Sequence, residues 1–244
     1  MLLSGRIWRG VAVLPLLPHA LNGGLRIQPL WAGLSTGARE EGGALYEFRT
    51  YQIRPDRSSA FLELTNEKIH LRTAHSELIG YWSVEYGALN QVFHIWKYDS
   101  FGHRAAVRAA LAQDERWIAE YIRLALPMLT CQSNHVAALL PWSRIGAPPR
   151  HGGAFEWASF RTLPGAAALW AAPRGDSATC GDARLLAAFR SDIGHLDTVY
   201  TLRWFESADE RRRLESHAAV APGLGLLRSR KTKVMFPCSF SPLK

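Results

Sequence analysis

The sequence predicts an α+β fold in which one βαββαβ unit occurs twice in tandem, over residues 45–141 and 154–244. Internal matches carry this prediction. Leu45–Pro55 matches Ala154–Pro164, and each segment is rich in aromatic and β-favouring residues and stops at proline. Such self-similarity indicates a structural unit that has been repeated.

A longer match follows within each unit. Glu85–Ser100 resembles Asp192–Ser207, and a two-residue deletion in the second unit separates this match from the first one. Gly87 and Gly194 occupy the same position of this match, and Asn90 is matched by Asp197. These residue types tolerate left-handed backbone, which favours a tight turn between two strands.

The elements of the first unit follow from periodicity. Segments in which apolar and polar residues alternate predict strands, and segments in which apolar residues recur about every 3.6 positions predict helices. Ser100 is predicted to cap the second helix. A capping box at Ser207 and Glu210 marks the same helix in the second unit. The predicted elements are a strand at Tyr46–Ile53, a helix at Arg57–His75, strands at Leu78–Tyr86 and Gln91–Tyr98, a helix from Ser100 to about Tyr121 and a closing strand at His135–Leu140, with Val234–Phe236 as its counterpart.

This order is the ferredoxin-like split βαβ arrangement, in which helices cover one face of the sheet. The other face is apolar and needs a second sheet against it, which the tandem copy supplies. We expect Tyr46, Phe48, Trp82 and Phe93 near that face. Residues 142–153, rich in proline and glycine, form the predicted linker.

The first 44 residues are predicted to form a basic leader segment. Residues 1–39 contain four arginines and no acidic residue, so they carry half of the net charge of +8. A cationic segment of this composition is typical of a mitochondrial transit peptide, with a secretory signal as the alternative. The remaining body is only mildly basic, which disfavours nucleic-acid binding.

Three cysteines, Cys131, Cys180 and Cys238, are widely separated and show no metal-binding spacing. They are interpreted as reduced thiols of a non-secreted protein. The sequence therefore predicts no metal site, and no nucleotide-binding or hydrolase motif points to a cofactor.

The chain resembles the NIPSNAP family, in its shorter third-subgroup type. The resemblance rests on His70–Glu85, Phe93–Asp99 and the tail Thr232–Lys244, and it covers nearly all of the chain after residue 44. It implies two ferredoxin-like repeats that pair as a dimeric α/β-barrel. The second repeat departs from the pattern at Trp170–Ser177, where Pro173 predicts a broken or shortened helix.

The resemblance also implies a non-enzymatic role. Family members resemble mitochondrial or cytosolic adaptor proteins linked to vesicle traffic and to autophagy machinery at damaged mitochondria. We therefore expect protein partners, a mitochondrial and partly cytosolic location, and the capacity to form a homo-oligomer. No catalytic residues carry over from the family.

A ligand pocket in the first repeat is the alternative. Histidines, an arginine and an aromatic wall near the end of the first helix fit a small-molecule site or a cofactor-free oxygenase-like barrel. The competing interpretation is ordinary core packing and a cation at a helix C-terminus. A packed barrel interior would leave only outer surfaces for function. The candidate pocket residues are His70, Arg72, His75, Trp82, Glu85 and His94.

Two further groups of charged residues are candidates for function. Glu47 and Glu85 could form an acid/base pair, but a solvated strand edge is the favoured interpretation. A basic run near the C-terminus could contact an anionic lipid surface or an acidic partner. This basic surface comprises Arg228, Arg230, Lys231 and Lys233.

Overall fold

A computed structural model describes residues 43–167, 184–217 and 224–244. The predicted leader, apart from its last two residues, and the predicted helix break at Pro173 lie outside these residues, as does Cys180. The described strands are β1 (Leu45–Ile53), β2 (Glu77–Tyr86), β3 (Gln91–Tyr98), β4 (Leu129–Leu139), β5 (Ala154–Thr162), β6 (Arg184–Ile193), β7 (Thr198–Phe205) and β8 (Leu227–Pro237).

Helices connect some of these strands. In the described residues they are α1 (Ser58–Thr73), α2 (Phe101–Gln113) and α3 (Ala208–His217). Between α2 and β4, four short turns form what we call the segmented helix: Glu115–Trp117, the π-helical turn Ile118–Ile122, Arg123–Ala125 and the 3-10 turn Leu126–Met128. Single 3-10 turns also occur at Pro55–Arg57 and Leu224–Leu226.

The strands close into an antiparallel barrel with the order β1-β3-β2-β8-β5-β7-β6-β4. The first half contributes the order β4-β1-β3-β2 and the second half β8-β5-β7-β6, joined by the pairs β2–β8 and β4–β6. Four antiparallel pairings, β2–β8, β8–β5, β5–β7 and β7–β6, separate β2 from β6. Since each pairing reverses the strand direction, β2 and β6 run parallel to each other. The β2–β3 and β6–β7 turns therefore lie at the same end of the barrel, which we call the hairpin end.

The first-half strands match the prediction closely. β1, β2 and β3 begin and end within one residue of their predicted bounds. The turn after β2 uses left-handed backbone at Gly87 (φ 92°) and Asn90 (φ 53°), and Gly194 (φ 105°) does the same after β6. The matched glycines therefore mark real turns.

The predicted end of the second helix and the predicted starts of both closing strands were wrong. α2 ends at Gln113 and does not reach Tyr121, because Asp114 adopts extended backbone and its side chain accepts the Trp117 amide at 3.0 Å to start a new turn. The closing strands β4 and β8 begin earlier than predicted. Their first residues are mostly polar, but they still pair with the last residues of β1 and β5, near one end of the barrel.

Ser100 caps α2, as predicted, by accepting the His103 amide at 3.0 Å. Ser207 likewise accepts the Glu210 amide at 3.1 Å ahead of α3. The return contact of this capping box goes to the amide of Glu206, one residue before the cap.

The barrel interior is a packed aromatic core. Tyr46, Phe48, Trp82 and Phe93 all lie in it, as predicted, and they meet second-half side chains such as Trp157. The ring centroids of Phe48 and Trp157 are 4.6 Å apart in an edge-to-face arrangement. Each buried ring of this size stabilises the fold by about 1.5–3 kcal/mol, so the two halves hold each other together.

Candidate functional site

Buried side chains fill the barrel interior among the described residues. Trp82, Phe155 and Phe189 are fully buried there, and Met235 and Leu202 fill the space between the rings. Two cavities lined by described residues lie outside the barrel, between the first-half sheet and its helices. The candidate site therefore lies in this sheet–helix layer.

The structure does not bring the six predicted pocket residues together. Arg72 and His94 are buried in the sheet–helix layer, whereas Trp82 points into the barrel. His75 is half-buried at the end of α1, with Nε2 3.1 Å from Asp114 Oδ2. The remaining two, His70 and Glu85, are exposed.

His94 is a neutral core residue. Its Nδ1 accepts the indole N–H of Trp96 at 2.6 Å, so the neutral ring carries its proton on Nε2, which is buried without a partner among the described residues. The Tyr81 ring stacks on the His94 imidazole, with the two ring centroids 4.5 Å apart. Burial, assisted by the charges of Arg49 and Arg72, holds the pKa of His94 well below its usual value. The structure therefore favours the neutral form of His94, held within the sheet–helix layer.

Glu47 is the centre of a buried polar network that sequence reasoning missed. Its Oε1 accepts from Arg104 and from Asn134, each at 2.7 Å, and Tyr98 reaches Oε2 at 3.4 Å. Burial alone would raise the pKa of Glu47, but the hydrogen bonds and nearby arginines lower it. The solvated-edge interpretation is thus wrong for Glu47, although it holds for Glu85.

Arg72 extends this network toward α1. It donates to the hydroxyl of Tyr98 at 2.7 Å and to Ser76, and its guanidinium lies 4.1 Å from the Trp96 ring centroid. These partners are all neutral. Burial is the main cause that lowers the pKa of Arg72.

The second half repeats the central pair. Glu156 on β5 is fully buried and accepts from Arg211 on α3, just as Glu47 on β1 accepts from Arg104 on α2. The two pairs occupy corresponding positions in the sequence. Glu156 aligns with Glu47 in the first internal match, and Arg211 follows the end of the second internal match at the same distance as Arg104 does. The internal match therefore contained the signal that could have identified this network.

The predicted basic surface is divided by strand alternation. All four side chains lie on β8, where Arg230 faces α3 and pairs with Glu215 at 2.8 Å. Lys233 shares the face of Met235, which points into the barrel, and its Nζ donates to Gln91. Burial lowers the pKa of Lys233. Arg228 and Lys231 remain exposed.

The hairpin end carries an apolar surface. Tyr86 and Leu89 flank the β2–β3 turn with 56% and 69% of their surface exposed, and Ile193 and Leu196 flank the β6–β7 turn with 54% and 64%. The two pairs occupy equivalent positions of the internal match. We call these four side chains the hairpin-end surface.

Other kinds of site find little support in the described residues. No group of three or more metal-binding side chains occurs among them. None of their helices is long and apolar enough to cross a membrane. Cys131 and Cys238 are free thiols, the first exposed and the second half-buried.

Comparison with known proteins fits this architecture. The NIPSNAP family profile matches residues 46–144. Protein NipSnap homolog 3B of Mus musculus is 44% identical over 223 residues, which cover 86% of this chain and 90% of that protein. Protein NipSnap homolog 3A of Homo sapiens is 41% identical over 245 residues, covering 93% and 97% of the two chains.

Among solved structures, a putative monooxygenase from Fusobacterium nucleatum matches with a TM-score of 0.58 at 7% identity, covering 83% of this chain and 99% of that chain. At this identity the likeness shows the fold alone. The two curated relatives, by contrast, match nearly end to end, and both bear the family's name. This chain belongs to the NIPSNAP family.

Proposed function

We propose that this protein is a non-enzymatic adaptor that binds protein partners through the hairpin-end surface. The observation that carries the proposal is the exposure of four large apolar side chains at equivalent positions of two turns. Large apolar side chains that stay exposed at one end of a domain are typical of protein-interaction sites, and here they occupy two turns that are four strands apart around the barrel. The barrel interior supports the same proposal, because the described side chains there form one buried apolar cluster.

The family resemblance suggests the kind of partner. We propose that the partners belong to the trafficking or mitochondrial quality-control machinery, and that the protein binds them at mitochondria and partly in the cytosol. An oxygenase-like activity has less support, because the predicted pocket residues are divided between the barrel interior, the sheet–helix layer and the surface.

We also infer that the two halves are diverged copies of one ferredoxin-like unit. The matching strand orders, the repeated Glu–Arg pair and the equivalent hairpin turns support this inference. In the order β5-β7-β6, β5 and β6 run parallel, as β1 and β2 do in the order β1-β3-β2. An experimental structure in which the two halves do not share one strand order would count against the duplication.

Proximity labelling from the full-length protein in cells tests the adaptor function. The test variant carries Tyr86→Ser, Leu89→Ser, Ile193→Ser and Leu196→Ser. The control carries Leu124→Ser and Leu126→Ser, which are about half exposed on the segmented helix. We expect the test variant to lose most labelled partners while the control keeps them.

Two outcomes would overturn the proposal. One is an unchanged set of labelled proteins in a test variant that still melts cooperatively. The other is a loss confined to self-association in sedimentation, which would make the hairpin end a contact between copies of this chain. Recovery of secretory-pathway proteins alone would refute the mitochondrial location.

A further inference from the structure

A cavity of about 290 Å³ lies between the first-half sheet and its helices. Arg49 and Tyr51 of β1 form its floor, and Trp117 and Tyr121 of the segmented helix form part of its roof. It adjoins a second cavity of about 360 Å³, and Arg49 lines both. The first volume is at the lower end of the range for small-molecule pockets.

The cavity carries an excess of positive charge. Arg72 is 4% exposed, and no carboxylate lies within ion-pair distance of it in the part of the chain that the structure describes. Its contacts are with Ser76, Tyr98 and the Trp96 ring. A buried guanidinium without a counter-ion is costly, so an anion bound beside it would be strongly favoured.

Arg49 has unused hydrogen-bonding capacity at the same place. Its Nε is buried and has no acceptor among the described residues, and its Nη2 reaches only the amide oxygen of Gln132, at 3.3 Å. The charges of Arg49 and Glu47 attract each other, but no hydrogen bond joins them among the described residues, since Glu47 Oε1 accepts from Arg104 and Asn134. A planar carboxylate matches the free edge of a guanidinium.

The rest of the lining is apolar. Phe61 and Leu111 contribute to the wall, and Trp117 stacks on Tyr121 with ring centroids 4.6 Å apart. The Tyr121 hydroxyl is already paired with Thr65 at 3.1 Å. A ligand here would thus meet one cationic end and an aromatic wall, which selects for an acid with an apolar body.

The second half lacks the key cation. Ala158 occupies the position of Arg49 in the internal match. There the arginines face two carboxylates, because Glu156 and Glu215 both pair with Arg230 and Arg203. A buried arginine without a carboxylate in ion-pair distance, Arg72, is therefore a feature of the first-half layer among the described residues, where half-buried Arg49 adds a second positive charge.

We propose that this cavity binds a small amphipathic carboxylate, with the acid group on Arg49 beside Arg72 and the apolar body against Trp117 and Tyr121. The site is independent of the hairpin-end surface, which lies at the turns between strands. It would give the protein a metabolite-binding capacity in addition to its partners.

Isothermal titration of the full-length protein with indole-3-propionate tests the proposal, with the neutral indole-3-propionamide as the matched ligand. We expect the acid to bind and the amide to bind at least tenfold more weakly. Arg49→Met removes the charge but keeps most of the side-chain volume, and we expect it to weaken acid binding by roughly tenfold to hundredfold. Arg161→Met removes an exposed arginine of β5 and should leave the affinity within twofold.

Arg108→Met provides a second variant whose folding is not at risk, since Arg108 is exposed at the mouth of both cavities. We expect it to weaken acid binding a few-fold and to reduce the dependence on salt. Equal binding of acid and amide, or an affinity unchanged by both Arg49→Met and Arg108→Met, would overturn the proposal. So would the absence of binding at about 1 mM acid, or tighter binding of phenyl phosphate than of the carboxylate.

Discussion

Arg104 on α2 donates from Nη2 to Oε1 of Glu47 on β1 across 2.7 Å, and Glu47 is only 1% exposed. The pair fastens α2 to the outer face of the sheet. Asn134 on β4 donates to the same oxygen, so one carboxylate connects a helix and two strands. Breaking a buried pair of this kind leaves an uncompensated charge, whereas an exposed pair costs little to lose.

Glu47→Ala should therefore destabilise the fold by about 3–5 kcal/mol. Arg104 would lose its acceptor and Asn134 its partner. Urea denaturation followed by tryptophan fluorescence measures the change in the free energy of unfolding. Glu85→Ala is the control, because Glu85 is exposed, and it should shift that free energy by less than about 0.5 kcal/mol. A loss below about 1 kcal/mol for Glu47→Ala would contradict the role assigned to the pair.

The same carboxylate makes stability depend on pH. Burial raises the pKa of Glu47, but Arg104, Arg49 and Asn134 outweigh burial and hold it below its ordinary value. The unfolded chain, with an ordinary Glu pKa of about 4.3, then binds a proton more readily than the folded protein does. The stabilisation is complete above that value and is lost as the pH falls through the lower folded pKa.

We expect the free energy of unfolding to drop more steeply in the wild type than in Glu47→Gln between about pH 5 and pH 3. Comparing the two proteins isolates Glu47, because Glu215 has a pKa lowered by its hydrogen bond with Arg230 in both. Urea midpoints at intervals of half a pH unit provide the measurement. Parallel curves would show that the carboxylate is not stabilised in its ionised form.

Local patterns in the sequence were sufficient for the strands and turns of the first half. Alternation gave β3 its observed bounds, and the glycine at position 87 marked a turn that requires positive φ. The apolar face of this sheet was also predictable, because Phe48 and Phe93 could only be buried against a second sheet. These features depend on neighbours in the chain.

The polar layer depends on residues that are distant in the chain. Glu47 and Arg104 are 57 residues apart, and only the packing of α2 on the sheet brings them together. Likewise, the basic run near the C-terminus looked like one surface until β8 placed Arg230 and Lys233 on opposite faces. The break after α2 was missed because Asp114 reads as an ordinary helix residue until its capping contact is seen.

Cys238 should be nearly inert toward thiol reagents in the folded protein. Burial raises its pKa to about 12, so almost no thiolate exists at pH 8. Cys131 is exposed and should react first. In a Cys180→Ser background, we expect Ellman's reagent to modify one thiol per chain at pH 8 and two after denaturation. Rapid reaction of both thiols in the folded protein would contradict the buried environment of Cys238.

The two equivalent turn glycines should respond differently to alanine. Both have positive φ, 92° at Gly87 and 105° at Gly194, so each substitution strains the backbone by roughly 1–3 kcal/mol. A Cβ at Gly87 would also lie 2.6 Å from the backbone oxygen of Thr232 on β8, whereas nothing lies within 4 Å of a Cβ at Gly194.

We therefore expect Gly87→Ala to destabilise the protein by at least about 1 kcal/mol more than Gly194→Ala, since β8 would have to move away from β2. Gly102→Ala supplies the baseline. Gly102 lies in α2 and a Cβ there meets only Ser100 Oγ at 3.6 Å, so alanine should be neutral or stabilising. Thermal and urea unfolding of the three variants measure the differences. Equal losses at Gly87 and Gly194 would mean that the β2–β3 turn does not pack against β8, and the junction between the two halves of the barrel would then have to differ from the observed pairing of Tyr86 with Val234.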